Sequence, residues 1–249
     1  LSTQLALLVI GGSAVAGFVS GLAGFAFGLV AMVFWAWTLP PQAIGPMLVV
    51  GSLAGQVLTV GTVRGQIRPK VIGPFIAGGL IGVPIGAALL PIINPTGFRI
   101  GVGLLLIVYC GVMLAAKNLP RVTAGGAWAD GGIGVIGGIL GGIAGLVGPA
   151  PTVWCMLRGH HKDLQRAICQ SFFIAMQSLT LVMYALTGLI DRQTLTLFAW
   201  MVPSTLIFAW LGSRLYVRIS DTAFKRVLLA LLFASGTVLL GTSLVHALR

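Results

Sequence analysis

Apolar and polar positions divide the chain into eight hydrophobic segments: Leu5–Thr38, Ala43–Val63, Val71–Ile93, Ile100–Ala116, Gly131–Leu157, Ala167–Leu189, Leu195–Gly212 and Arg226–Ala247. Six have the length of one bilayer crossing, about 20 residues at 1.5 Å per residue. The first and fifth are longer, and each is interrupted by a glycine-dense patch. In the first it runs from Gly21 to Gly28; in the fifth it runs from Gly141 to Pro151 and carries Pro149 and Pro151. Glycine and proline weaken a continuous helix at these points, proline by removing an N–H and crowding the preceding turn. Segments one and five are therefore expected to be broken or re-entrant, and the remainder to be single transmembrane helices. The fold class that follows is all-α, a polytopic membrane bundle.

The chain also repeats itself. At an offset of 121, Gly21, Gly24 and Gln56 fall on Gly142, Gly145 and Gln177, and Gln56-Val57-Leu58-Thr59 matches Gln177-Ser178-Leu179-Thr180 at three of four positions. With small gaps the offset becomes 126, and Gly86, Thr96 and Phe98 fall on Gly212, Thr222 and Phe224. This divides the chain into a first repeat (1–116), a cytoplasmic linker (117–130) and a second repeat (131–249), all within one membrane domain. Internal repeats of this kind are a transporter signature.

Composition excludes the soluble classes. Hydrophobic residues make up 57% of the 249 and charged residues only 8%, whereas a soluble domain carries about a quarter charged residues. The net charge of +11 comes from bases in short loops between apolar runs, where they orient a chain in the bilayer and do not form a nucleic-acid surface. If all eight segments cross once, the bases divide almost evenly between the two sides. If segments one and five each leave on the side they entered, one side holds Arg64, Arg68, Lys70, Lys117, Arg121, Arg158, Lys162, Arg166, Arg214, Arg218, Lys225 and Arg226. The other then holds only Arg99, Arg192 and Arg249. The positive-inside rule prefers this twelve-to-three split, which leaves three crossings per half and makes the repeats inverted. The N-terminal apolar run exceeds signal-peptide length and is read as mature protein. Cys110, Cys155 and Cys169 lack CxxC spacing and read as reduced, buried side chains.

No enzyme motif is present. The acids Asp130, Asp163, Asp191 and Asp221 all lie in loops, so no carboxylate pair and no intramembrane proton relay exists. His160 and His161 are adjacent, poor spacing for a metal site; no metal and no cofactor is expected. The candidates are polar groups inside the spans and the broken backbone itself. A helix broken in mid-membrane leaves unpaired N–H groups and a positive dipole end, a ready anion site. The candidate substrate-binding residues are Ser20, Gly21, Gly24 and Gly28 from the first patch and Gly142, Gly145 and Gly148 from the second. Ser52 and Gln56 join them from segment two, with Thr59 on the same stripe, and Gln170, Ser171 and Gln177 from segment six. Close helix packing is the alternative reading of the glycines, and the preferred one for Gly78-x-x-x-Gly82-x-x-x-Gly86. Interhelical hydrogen bonding is the alternative for the glutamines.

The patch Ser20-Gly21-Leu22-Ala23-Gly24-Phe25-Ala26-Phe27-Gly28 resembles the S-G-x-x-G-x-G-G-G signature of the sulfite exporter TauE/SafE family. Pro40-Pro41-Gln42-Ala43 resembles that family's connection before its second segment, and Gly142-Ile143-Ala144-Gly145-Leu146-Val147-Gly148-Pro149 its repeated signature. Arg64-Gly65-Gln66-Ile67 and Gly188-Leu189-Ile190-Asp191 are similar to its G-x-[VI]-D turns. The resemblance implies a bacterial inner-membrane carrier of sulfur-containing anions such as sulfite, sulfonates or sulfoacetate. The partners are then a small anion and the lipid bilayer, with a homodimer left open and no nucleic acid. Ala26, Phe27 and Val147 stand where the signature has glycine, which points to a narrower or more apolar pocket. An anion channel or passive uniporter is the other functional reading.

Overall fold

The computed structural model describes residues 3–23, 26–59, 68–115, 121–215 and 221–247. Among these there is no strand, and the chain forms α1 (Thr3–Ala23), α2 (Phe27–Trp35), α3 (Pro41–Thr59), α4 (Pro69–Leu89), α5 (Pro95–Ala115), α6 (Gly126–Ala144), α7 (Pro149–Leu157), α8 (Lys162–Leu186), α9 (Arg192–Leu215) and α10 (Asp221–Ala247). A short 3₁₀ turn, Leu90–Ile92, joins α4 to α5. The eight apolar segments are all present as helices. The first and fifth are each split, into α1 and α2 and into α6 and α7. Six described helices are long and apolar enough to cross a bilayer, and Leu80, Ile81, Ile85, Leu104 and Val108 lie exposed along two of them. Apolar side chains in such numbers on the outside suit hydrocarbon as solvent. The protein is an all-α polytopic membrane bundle.

α6 starts at Gly126, five residues before the apolar run. Asp130 is the reason a charged turn belongs to the helix: its carboxylate accepts hydrogen bonds from Trp154 Nε1 (2.7 Å) and from Arg158 (3.0 Å). Arg158 also donates to the carbonyls of Gly126 and Thr123. It stands at the end of α7, so segment five begins and finishes at the same end of the bundle. Segment one behaves alike at the opposite end. Trp35 and Phe34, at the close of α2, pack over Gly12 of α1, and Arg99 donates to the carbonyls of Ala36 (2.8 Å) and Trp37.

Glycines set the closest pairings. On α4, Gly78 meets the backbone at Gly131 of α6, Gly82 meets it at Val135 and Gly138, and Gly86 meets it at Ile139 and Gly142. The numbers rise together, so α4 and α6 run parallel. The same close approach joins α1 to α9, where Gly17 meets Thr205 and Gly21 meets Ala209 and Ser213. Small residues let backbones touch in a medium that supplies no hydrophobic drive between helices. The stripe Gly78/Gly82/Gly86 is thus a packing surface, as its spacing predicted.

α3 and α8 run antiparallel: Gly45 lies against Tyr184, whereas Ser52 and Gln56 share a cavity with Gln177. α8 runs with α4, since Phe172 and Met176 pack over Gly79 while Tyr184 clusters with Ala87 and Leu90. The starts of α4, α6 and α8 therefore share one end, which gathers Arg68, Lys70, Arg121, Arg158 and Arg166, and α9 brings Arg214 to it. Arg99 and Arg192 stand at the other end. Arg64–Ile67, Lys117, Arg218 and Arg249 lie outside the described residues.

Candidate functional site

The break in the second half closes locally before the chain turns back. α6 ends on Gly145 in the left-handed conformation (φ 65°), with its N–H on the Gly141 carbonyl (2.7 Å) and the Leu146 N–H on that of Leu140 (3.3 Å). This closure satisfies carbonyls that a helix end otherwise leaves unpaired, and glycine adopts its φ without Cβ strain. α7 then opens on Pro149, whose ring presets the first helical φ. In the first half α2 opens after Ala26, which holds φ 82°. That conformation costs an alanine roughly 1 kcal/mol more than a glycine. Ala26→Gly is accordingly expected to raise the thermal midpoint of the purified protein by the equivalent of about 1 kcal/mol. A lowered midpoint would show the position to be unstrained.

The nine-residue helices α2 and α7 span about 13 Å each. Both begin at one cavity of about 40 Å³. Since a water needs roughly 10–15 Å³ by this measure, the cavity suits an ion of a few heavy atoms. It is lined by Ala26 just before α2, by Phe27, Gly28 and Leu29 of α2, by Gly145, Leu146, Val147 and Gly148 of the α6–α7 link, and by Pro149 at the start of α7. Ser20, Ser52, Gln56, Tyr109, Phe173 and Gln177 close it from four longer helices. Ser52 stands near the middle of α3 and Gln56 in its last turn, while Gln177 lies nine residues before the end of α8.

The backbone donors are unequal. The first-turn N–H groups of Phe27, Gly28 and Leu29 have no intrahelical acceptor by helix geometry. In α7, Pro149 and Pro151 carry no N–H, so that end brings fewer donors, and Val147 and Gly148 of the link line the cavity beside it. The neutral side chains of Ser20, Ser52, Gln56, Tyr109 and Gln177 add further polar groups. Gln177 is 3% exposed and its Oε1 has no hydrogen-bond partner among the described residues. No Asp, Glu, Lys, Arg or His among the described residues lines the cavity. No cluster of three or more metal-ligating side chains exists among the described residues. His160 stands outside, at the basic end near Asp130 and Arg158, where burial lowers its pKa below the ordinary histidine value.

Seven of the candidate residues meet at this cavity: Ser20, Gly28, Ser52, Gln56, Gly145, Gly148 and Gln177. Gly21 instead lies in the α1–α9 contact, and Gly142 in the α4–α6 contact, where Tyr184 donates to its carbonyl. Gln170 is buried and Ser171 half-buried on α8, neither reaching the cavity. Gly24 and the side chain of Thr59 lie outside what the structure describes. Sequence reasoning missed Tyr109 and Phe173. Phe173 sits four residues before Gln177 and so shares its helix face; Tyr109 had no such neighbour, because only the packing of α5 brings it in. Phe27 stands where the signature has glycine, and its ring fills the space left by Gly51 of α3.

The family model described as sulfite exporter TauE/SafE matches residues 9–239. No curated protein and no solved structure matches the chain significantly.

Proposed function

Because the chain belongs to the sulfite exporter TauE/SafE family, whose members are membrane transporters of sulfur-containing anions, we propose that it carries a small sulfur oxyanion of the sulfite, sulfonate or sulfoacetate type through the cavity between its halves. The observation that carries this reading is the convergence of two broken helices, N-termini first, on one cavity walled by neutral hydrogen-bonding groups. Anions are stabilised at helix N-termini by fixed, already desolvated N–H groups. The halves are read as inverted repeats, an arrangement supported by the antiparallel course of α3 and α8 and by the crossed pairing of α1 with α9 and α4 with α6. The end rich in Arg and Lys is read as cytoplasmic, in a bacterial inner membrane.

The experiment is counterflow of radiolabelled sulfite in proteoliposomes, for the wild type and Gly28→Val. A Cβ at Gly28 would press only on the flexible end of Leu146 (2.8 Å), so the variant should fold while its methyls intrude on the cavity and the α2 donors. Wild-type uptake should be accelerated by sulfite on the far side, and Gly28→Val should lose it. Full counterflow in Gly28→Val would move the site elsewhere. Flux without acceleration would make the protein a channel.

A further inference from the structure

The cavity holds a particular amount of positive charge, and that amount selects the ionisation state of its ligand. A helix N-terminus acts as about half an elementary charge. Two such ends, α2 and α7, border the cavity, and no lysine or arginine among the described residues lines it. The described bases stand at the ends of the bundle, several turns from Gln177 and Ser52. The available countercharge is therefore at most about one unit, since the α7 end lacks the N–H groups of Pro149 and Pro151. A second negative charge would enter a low-dielectric space with nothing to balance it.

The side chains agree with this. Ser20, Ser52 and Tyr109 bring hydroxyls, which supply direction and no net charge. Gln177, buried at 3% exposure, places a carbonyl oxygen without a partner beside the same cavity. Against a dianion that oxygen meets only like partial charge; against hydrogen sulfite it gains a donor, and to a sulfonate, which has no O–H, the amide can turn its NH2 instead. The rest of the wall (Phe27, Leu29, Leu146, Val147 and Phe173) is apolar and accepts the uncharged side of a ligand.

We infer that the site takes singly charged sulfur oxyanions, hydrogen sulfite or a simple sulfonate, and rejects the sulfite and sulfate dianions and, with them, doubly charged sulfoacetate. This rests on the anion-site reading above. It makes apparent affinity for total sulfite pH-dependent through the ligand. Tyr109 is the one titratable side chain among the described cavity-lining residues, so a ligand that does not titrate near neutrality serves as the control.

The test measures binding of sulfite, methanesulfonate and sulfate to the purified wild-type protein, on either side of the second ionisation of sulfurous acid. Methanesulfonate should bind equally at both pH values, and sulfate should displace neither ligand. Apparent affinity for total sulfite should fall about tenfold for each pH unit above that ionisation. Three results overturn the inference: sulfite binding as tightly at the higher pH, sulfate displacing it, or methanesulfonate weakening in parallel, which would assign the titration to the protein. If none of the three binds at either pH, the anion-site reading itself falls, and the inference with it.

Discussion

Gly82→Val is expected to destabilise the fold severely. A Cβ at Gly82 would sit against the carbonyl of Val135, with Ile139 N at 2.9 Å and Gly138 Cα at 3.0 Å. All three are backbone atoms of a neighbouring helix, so no side chain can swing aside, and α4 and α6 must separate. Overpacking in a core that can relax costs about 1–3 kcal/mol; here Gly78 and Gly86 would lose their contacts as well. The loss should reach at least ~3 kcal/mol, a large part of a total stability of about 5–15 kcal/mol. Gly73→Val is the control, since nothing lies within 4 Å of a Cβ there on the same helix. Size-exclusion profiles and melting curves should separate the two variants. Equal melting points would mean that the close backbone contact does not exist.

Gln177→Glu is expected to abolish anion binding in a protein that still folds. The substitution conserves shape and replaces an amide by a carboxyl at a site only 3% exposed. If the carboxyl ionises, it repels an anion about 5 Å away by roughly 3 kcal/mol at an effective dielectric constant near 20, or about two orders of magnitude in affinity. Burial favours the neutral acid, so the sign of the pH dependence is defined: binding should return as pH falls and the carboxyl protonates. Binding of methanesulfonate, which keeps its charge over this range, checks the prediction. Unchanged affinity at neutral and alkaline pH would place Gln177 away from the ligand.

The two variants test different links between sequence and function, and the two glycine roles show how far each link is readable. Gly21 and Gly24 belong to one motif, as do Gly142, Gly145 and Gly148. Yet Gly21 and Gly142 serve helix contacts, while Gly145 and Gly148 border the cavity. A missing Cβ admits a neighbouring helix as readily as a ligand. The residue type alone therefore cannot separate the roles. Gly145 shows a third use, because its φ of 65° and the nearby Leu48 and Val49 would penalise a side chain whatever the cavity contains.

The order of the helices, the two breaks and the gathering of bases at one end were legible in the sequence. Hydrophobic runs report burial in lipid residue by residue, glycine and proline act on their own turn of backbone, and charges resist the hydrocarbon wherever they occur. These are local effects, so a linear reading captures them. The pairing of α1 with α9 and of α4 with α6, and the arrival of Tyr109 and Phe173 beside Gln177, depend on contacts between residues far apart in the chain. In a bundle whose helices are apolar on every side, hydropathy does not say which face meets which neighbour. Backbone fit along glycine stripes makes that choice, and it exists only once the helices are packed.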